Sequence, residues 1–195
     1  MTSDQPESTT TLDDWAAGLA ERLGGEAVVE YATVRISVDR EKWLPTLRRA
    51  RDEEGLVFFS WLTGIDWSKD VEVGEGVAEP DDLDERFEVM CRLSSVESND
   101  AAHFVARLPK DDPVIESAVP LFGGAGWHER EAHDMFGIEF RGNPNPKNLY
   151  LPDDFVGHPL LKSFPLLTRE VKPWPGAVDV EGMPGDEPDE SEADT

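Results

Sequence analysis

Hydrophobic residues recur at helical spacing in several parts of the chain. The clearest case covers residues 12–23, where Thr11 is placed to cap the start and Gly24 to end the helix. Its apolar positions fall on one face: Leu12, Trp15, Leu19 and Leu23. The same spacing, with a proline or a following glycine as boundary signals, predicts three further helices, over residues 39–55, 113–122 and 126–137.

Other stretches show the period of a β-strand. Apolar and polar residues alternate over residues 32–39, 85–95 and 101–109, and an unbroken apolar run covers residues 56–62. The polar segment 96–100 between the last two alternating stretches indicates an antiparallel hairpin. We therefore predict an α+β fold: a two-layer domain over residues 12–142, with a mixed or antiparallel sheet and helices, followed by an extended C-terminal strap.

That strap is predicted because regular periodicity stops near residue 141. Residues 141–175 contain seven of the chain's 15 prolines, together with many large apolar side chains, which suits neither a helix nor a sheet interior. Backbone groups and apolar side chains of this kind need partners. The segment 143–178, called the strap below, is expected to lie extended over the domain itself or over a partner. We favour ordering by a partner, with trypsin cutting the isolated chain near Lys147 and Lys162.

The net charge of −24 is concentrated in a few segments. Residues 1–14, 66–85 and 179–195 supply −20 of it, which indicates solvated segments rather than a uniformly acidic surface. We expect residues 1–11 and the acidic tail 179–195 to be disordered. Binding to nucleic acid phosphates is disfavoured by this charge.

The remaining composition narrows the class of protein. No apolar run approaches the ~18 residues that a membrane span needs, and the first residues do not have the pattern of a secretory signal. The single cysteine, Cys91, cannot form an internal disulfide and lies in an alternating strand pattern, which predicts a core residue in a reducing compartment.

Two groups of residues invite a chemical interpretation. His128 and His133 are five residues apart, roughly 140° around a helix, so they do not share the face that a zinc site requires. Asp153, Asp154 and His158 offer an acid–base group, although Pro-Asp-Asp and Gly-His-Pro are also common turn sequences. No catalytic residue, metal ligand or cofactor-binding motif is predicted, and the acid–base group remains an alternative.

Docking explains the helix over residues 126–137 better than catalysis does. Arg130 and Asp134 are placed to pair at i,i+4 spacing. The apolar residues around them are of the types that dominate protein–protein hot spots: Trp127, Met135, Phe136 and Ile138. The helix and the strap together therefore indicate a surface that contacts another protein.

These residues also carry a resemblance to a known family. The motif ERE-x-x-DMFGI, from Glu129 to Ile138, and the motif LPDDF-x-GHPL-x-K-x-FPL, from Leu151 to Leu166, resemble the signature of the 30 kDa subunit family of respiratory complex I, the bacterial NADH:quinone oxidoreductase. The resemblance covers roughly residues 12–175. The chain departs from the family pattern at Asn143, at Lys147-Asn148 and around Leu161.

The resemblance implies a non-catalytic structural subunit of the peripheral arm of a proton-translocating NADH:quinone oxidoreductase. No cofactor is expected in such a subunit, since FMN and the iron–sulfur clusters that pass electrons from NADH to quinone are held by partner subunits. The expected partners are the quinone-site subunit and the terminal iron–sulfur subunit, and the expected location is peripheral, on the cytoplasmic side of the cell membrane. The alternatives are a homologous subunit of a membrane-bound hydrogenase or of a complex with another electron donor, and a free-standing acid–base enzyme.

The same resemblance, together with the docking interpretation, predicts which residues bind partners. They lie on the last helix, directly after it and on the strap: Glu129, Arg130, Glu131, Asp134, Phe136, Arg141, Asp153, Asp154, His158, Lys162 and Phe164.

Overall fold

The structure, a computed structural model, describes residues 11–69 and 84–165. Some of the predictions concern segments outside this range and stay predictions. They are the disordered N-terminus, most of the acidic loop, the strap beyond residue 165 and the acidic tail 179–195. Everything below refers to the described residues.

The described residues form three α-helices and seven β-strands. In order they are α1 (Leu12–Leu23), β1 (Glu26–Glu30), β2 (Thr33–Val38), α2 (Trp43–Asp52), β3 (Phe58–Trp67), β4 (Arg86–Ser94), β5 (Ala101–Leu108), β6 (Val114–Glu116), α3 (Ala125–Phe136) and β7 (Glu139–Arg141). The predicted α+β class is confirmed. Within the described residues, no helix has the length and hydrophobicity needed to cross a lipid bilayer.

The main sheet is mixed, as predicted. Its five strands have the order β1-β2-β5-β4-β3, in which β2 and β5 are parallel while the other neighbours are antiparallel. The hairpin expected from the segment 96–100 is the β4–β5 pair. A second, two-stranded sheet pairs β6 with β7 in parallel.

One face of the main sheet forms the core with the helices. Leu19 of α1, Trp43 and Leu47 of α2, and Phe104 of β5 are completely buried, and they belong to one continuous apolar cluster. Cys91 is buried in the same cluster, so the prediction of a core cysteine is confirmed, and this burial raises the pKa of its thiol.

Helix α3 packs on the outermost strand β3 by close approach at a glycine. A Cβ atom at Gly64 would lie 2.7 Å from Phe136 Cδ2 and 2.8 Å from Ile138 Cδ1. The missing side chain therefore allows the end of α3 to sit directly on the strand. This contact explains what Phe136 does: it anchors the helix to its own domain.

The predicted helix over residues 113–122 is wrong. Residues Val114–Glu116 form β6 and pair with β7, with Ile115 opposite Phe140. The partner strand lies more than twenty residues further along the chain, so no local pattern could show the pairing. Strand β1 was also missed, because it has only five residues and begins two residues after the end of α1.

The turn between β1 and β2 is made by two residues in an unfavourable conformation. Tyr31 and Ala32 have φ values of 49° and 56°, the left-handed region that a two-residue type I′ hairpin turn requires and that Asn-Gly adopts most readily. Left-handed backbone costs about 1–3 kcal/mol for a residue other than glycine. The hairpin thus carries strain that its packing must offset.

We predict that the double change Tyr31→Asn/Ala32→Gly raises the free energy of unfolding by about 1 kcal/mol or more, because the new residues tolerate the turn. Urea unfolding of the purified chain measures the effect. The control Tyr31→Ser/Ala32→Ser removes the exposed ring without relieving the backbone and should not be stabilising. Equal stabilisation by both variants would contradict the strain argument.

Candidate docking site on α3 and the strap

Residues 143–164 of the strap lie on the domain's own surface. The sequence did not decide whether the strap lies on the domain or on a partner. In the structure this part of the strap lies on the domain. It also changes the expectation for trypsin, because the carbonyl group of Lys147 and the amide group of Lys162 are both hydrogen-bonded to the domain. Contacts with a partner stay a prediction.

Arg130 holds the beginning of the strap. Its Nε donates to the carbonyl oxygen of Lys147 at 2.6 Å, and its Nη2 donates to that of Asn148 at 2.7 Å. The guanidinium also lies 5.3 Å from the centre of the Trp127 ring, a distance typical of a cation–π contact. The planar fork of an arginine suits two consecutive carbonyl groups, which a lysine could not bind in the same way.

Asp134 binds the next three residues. Its Oδ2 accepts hydrogen bonds from the amide groups of Leu149 at 2.8 Å, Tyr150 at 2.8 Å and Leu151 at 3.3 Å. The predicted ion pair between Arg130 and Asp134 is therefore wrong: each side chain binds the strap backbone instead. Sequence spacing showed that the two residues share a face, but not what lies above them.

The three amide groups also determine the ionisation of Asp134. Burial by itself would raise the pKa of the carboxyl group, but the hydrogen bonds from Tyr150, Leu149 and Leu151 outweigh it and hold the pKa below its usual range. A carboxylate near the C-terminus of a helix is disfavoured by the helix dipole. The strap amides supply the positive partial charge that compensates for this position.

The end of α3 is completed by the strap as well. The last carbonyl groups of a helix have no partner within it. Here His158 Nδ1 lies 2.8 Å from the carbonyl oxygen of Asp134, and the amide of Leu160 donates to the carbonyl oxygen of Met135 at 3.0 Å. Since a carbonyl accepts only, the His158 ring carries its proton on Nδ1.

Gly137 makes room for that histidine. It has a φ of +75°, and a Cβ atom there would lie 2.7 Å from His158 Nε2. Two features require a glycine at this position: the left-handed backbone at the end of the helix, and the imidazole ring that lies above it. The ring of His133 lies 6.1 Å from that of His158, and its Nδ1 contacts the carbonyl oxygen of Ile138 at 2.9 Å.

Asp66 fixes the far end of the described strap to β3. Its Oδ2 accepts from the amide of Lys162 at 2.9 Å, while its Oδ1 contacts Ser68 Oγ at 2.7 Å and the ammonium group of Lys110. Burial alone would raise the pKa of Asp66, but these donors lower it below the usual range. The role of Asp66 was not predicted, because this residue lies in a segment that the sequence indicated to be an acidic loop.

Glu129 joins the strap to β6. It is 1% exposed, and its carboxyl oxygens accept from Ser117 Oγ at 2.7 Å, the Ala118 amide at 2.7 Å and Asn143 Nδ2 at 2.8 Å. Burial raises the pKa of Glu129 above its usual range, although the three donors oppose the shift. Asn143 thus helps to hold this carboxyl group in place.

The other predicted partner-binding residues lie around the hydrogen bonds that join the strap to the domain. Phe164 stacks on Phe155, with ring centres 6.1 Å apart. The backbone of Arg141 binds Ser117, and Glu131 is exposed on α3. Whether any of these side chains binds a partner stays a prediction.

The three residues of the acid–base alternative, Asp153, Asp154 and His158, do not form a site with one another in the described part of the chain. Asp153 and Asp154 are exposed, and in the described part of the chain His158 is hydrogen-bonded to the backbone of Asp134 rather than to either aspartate. Residues 11–69 and 84–165 also contain no group of three His, Cys, Asp or Glu side chains placed to hold a metal ion. A cavity of about 410 Å³ lies beside Glu129 and Arg141, but the oxygens of Glu129 are already hydrogen-bonded to the protein.

We predict that Asp134→Asn lowers the free energy of unfolding by about 2 kcal/mol at pH 7, because hydrogen bonds to a charged acceptor contribute about 1.5–3 kcal/mol. The folded-state pKa of Asp134 is depressed, so its contribution is present above the ordinary carboxyl range and is lost as pH falls through the folded value. The deficit of the variant should therefore shrink below about pH 4. Urea unfolding across pH measures it.

The matched control for this prediction is Glu131→Gln, which removes an exposed charge from the same helix. It should change stability by less than about 0.5 kcal/mol. Trypsin should also cut after Lys147 faster in Asp134→Asn than in the control. A deficit that persists unchanged at pH 3 would contradict the assigned role of the charge.

We predict that Gly137→Ala destabilises the chain by at least about 1 kcal/mol more than Gly142→Ala. Both glycines have a positive φ, +75° and +86°, but a Cβ atom at Gly142 meets nothing within 4 Å. The backbone strain is therefore similar, and the difference reports the contact with His158. In a His158→Ala background the difference should disappear, as a double-mutant cycle by urea unfolding would show.

Comparisons with known proteins agree with the resemblance seen in the motifs. Residues 36–170 match the family model described as respiratory-chain NADH dehydrogenase, 30 Kd subunit. One NADH-quinone oxidoreductase subunit, from Citrifermentans bemidjiense, is 36% identical over 145 residues, which cover 74% of this chain and 82% of that protein.

Two solved structures share the fold. One is the trypsin-resistant fragment (1-134) of Nqo5, with a TM-score of 0.51 and 23% identity, covering 69% of this chain and 99% of that one. The other is a chain of the membrane-bound sulfane sulfur reductase, an archaeal respiratory membrane complex, with a TM-score of 0.57 and 22% identity, covering 73% of this chain and 77% of that one. With the family model matching most of the chain and a relative above 30% identity, the chain belongs to the family of the 30 kDa subunit of respiratory-chain NADH dehydrogenase.

Proposed function

We propose that this chain is a non-catalytic subunit of the peripheral arm of an NADH:quinone oxidoreductase and docks on neighbouring subunits through α3 and the strap. One observation carries the proposal. The surface formed by these elements is fixed by hydrogen bonds to the domain, yet it exposes large apolar side chains: Trp127, Tyr150, Phe155, Val156 and Leu160. A rigid backbone that presents aromatic and aliphatic groups is typical of a binding surface.

Rigidity is important here because binding an unordered segment costs conformational entropy. Arg130, Asp134 and Asp66 bind backbone groups of the strap at residues 147–151 and 162. A partner would therefore meet a segment that is already in position. Most of the contact energy can then appear as affinity.

The polar residues of the site favour a structural role over catalysis. Both oxygens of Glu129 and Oδ2 of Asp134 accept hydrogen bonds from the protein, and His158 binds a backbone carbonyl. A general acid or base needs a free position facing a substrate. We therefore assign electron transfer to partner subunits, which would hold FMN and the iron–sulfur clusters, with no active site in this chain.

We assign the contacts of this surface to the quinone-site subunit and to the terminal iron–sulfur subunit, and the location to the cytoplasmic side of the membrane, as a peripheral subunit. The alternative is a related respiratory membrane complex with another electron donor. The shared fold of a chain from the sulfane sulfur reductase complex is the observation that favours considering it. The donor is identified by which reductant supports quinone reduction in the purified complex.

We predict that Val156→Asp in the tagged chain reduces recovery of the membrane complex at least fivefold. Val156 is 89% exposed on the strap, so a charge there leaves the fold intact but must be desolvated in an interface. Val96→Asp is the matched control, since Val96 is 69% exposed on the turn between β4 and β5. Affinity purification from membranes, with partner subunits quantified by mass spectrometry, measures recovery.

Thermal unfolding of both purified variants must match the wild type, which separates loss of docking from loss of folding. Recovery of an intact complex with Val156→Asp would contradict docking through the strap. The absence of any quinone-reducing complex with the wild-type chain would contradict the proposed function itself.

A further inference from the structure

The main sheet has a second face that no described helix covers. Helices α1, α2 and α3 pack on the face that carries Phe104, Val89 and Gly64, and alternate residues of each strand point to the other side. From the strand registers, this open face includes Arg35 on β2, His103 and Arg107 on β5, Glu88 and Arg92 on β4, and Trp61 on β3.

The charge of this open face is opposite to that of the chain. Four arginines lie on it, Arg35, Arg86, Arg92 and Arg107, against the acids Glu88, Glu26 and Glu30, although the chain as a whole carries a net charge of −24. Glu26 and Glu30 belong to the edge strand β1, so the excess of positive charge lies on β2, β5 and β4. Like charges on neighbouring strands destabilise a sheet. A cluster of this kind costs folding energy, which a bound anionic group would offset.

Glu88 neutralises only part of the cluster. It is completely buried, and its carboxylate contacts Arg35 at 2.9 Å, Arg86 at 3.0 Å and Arg107 at 3.7 Å. One carboxylate thus faces three guanidinium groups. Arg107 in particular, with 63% of its side chain exposed, keeps most of its donors free for another acceptor.

Arg92 has no carboxylate partner among the described residues. Its Nη1 lies 3.2 Å from His103 Nε2, the histidine directly opposite it on β5. Burial lowers the pKa of His103, and the charges of Arg92 and Arg35 lower it further. Burial and the two guanidinium charges thus both oppose protonation of the ring.

The same face offers apolar contacts. The ring of Trp61 lies 5.2 Å from that of His103, and Met90 and Ile65 are half-buried beside it. The face thus combines guanidinium donors with an aromatic and aliphatic patch.

We propose that the open sheet face binds an acidic polypeptide segment of a partner subunit. Its carboxylates would meet Arg92, Arg35 and Arg107, and an apolar side chain between them would contact Trp61. This surface lies on the side of the sheet opposite to the core, whereas α3 packs on the core side, so it is a second docking surface beyond the proposed function.

A short acidic segment fits this face better than a nucleic acid or a membrane. The chain's net charge of −24 repels extended polyanions and anionic bilayers, whose charge acts over large areas. A segment with a few carboxylates meets mainly the local cluster, at distances where the local positive charge dominates. The aromatic and aliphatic neighbours also suit a polypeptide side chain.

The test uses the assembled complex. p-Benzoylphenylalanine replaces Thr63, an exposed residue on the open sheet face, or Arg48, an exposed residue on α2, as the control position. After irradiation of the purified complex, mass spectrometry identifies the cross-linked segment. Thr63 should cross-link to a partner segment in which Asp and Glu outnumber Lys and Arg, and the yield from Arg48 to that segment should be at least fivefold lower.

Charge reversal provides the second arm. Arg107→Glu should reduce the cross-link from Thr63 at least threefold and make it more sensitive to salt, while Arg48→Glu should leave it unchanged. Thermal unfolding of the isolated variants excludes misfolding as the cause. A cross-link to a basic or neutral segment, to a second copy of this chain, to nucleic acid or to lipid would overturn the proposal, as would no cross-link in an intact complex. Failure to recover any complex would instead contradict the proposed function.

Discussion

The unsatisfied carbonyl groups at the end of α3 are the constraint from which the strap's position follows. A helix that ends against its own sheet cannot rely on water for all of them, and here the strap supplies His158 and the amide of Leu160. Asp134 adds a carboxylate at the same end and binds three further amides. Helix and strap each satisfy polar groups that the other would leave unpaired, so neither is complete alone.

This mutual dependence gives several residues of catalytic type on α3 a structural role. Glu129, Asp134 and His133 are each bound to backbone or to a neutral side chain of the same domain. Buried polar groups of this kind rigidify a structure when they are fully satisfied. The density of acidic and histidine residues in the motif reflects how many of them position the strap on the domain.

The sequence predicted the fold where the signal was local. Helix α1 has the expected capping box between Thr11 and Asp14, and the β4–β5 hairpin follows from alternation and a polar turn. It failed where partners are distant: β6 depends on β7, and strand β3 continues to Trp67 through a segment that looked like an acidic loop.

The candidate site was likewise predicted where the signal was local and missed where the partners are distant. The motifs identified Arg130, Asp134 and His158, because their types and spacing are unusual, but the i,i+4 spacing suggested an ion pair that the strap replaces. Asp66 and Lys110 could not be found, since they contribute from separate strand ends and meet the strap only in three dimensions. Periodicity shows which face a residue occupies, not which segment of chain will cover that face.

The completion of α3 by the strap also has a consequence for synthesis of the chain. A ribosome delivers residues in order, and domains begin to fold from their N-terminal parts. The last turn of α3 leaves the ribosome well before His158 and Leu160, whose groups complete it. During that interval the carbonyl groups of Asp134 and Met135 lack the donors that the strap supplies. The final step of folding must therefore wait for residues near 160.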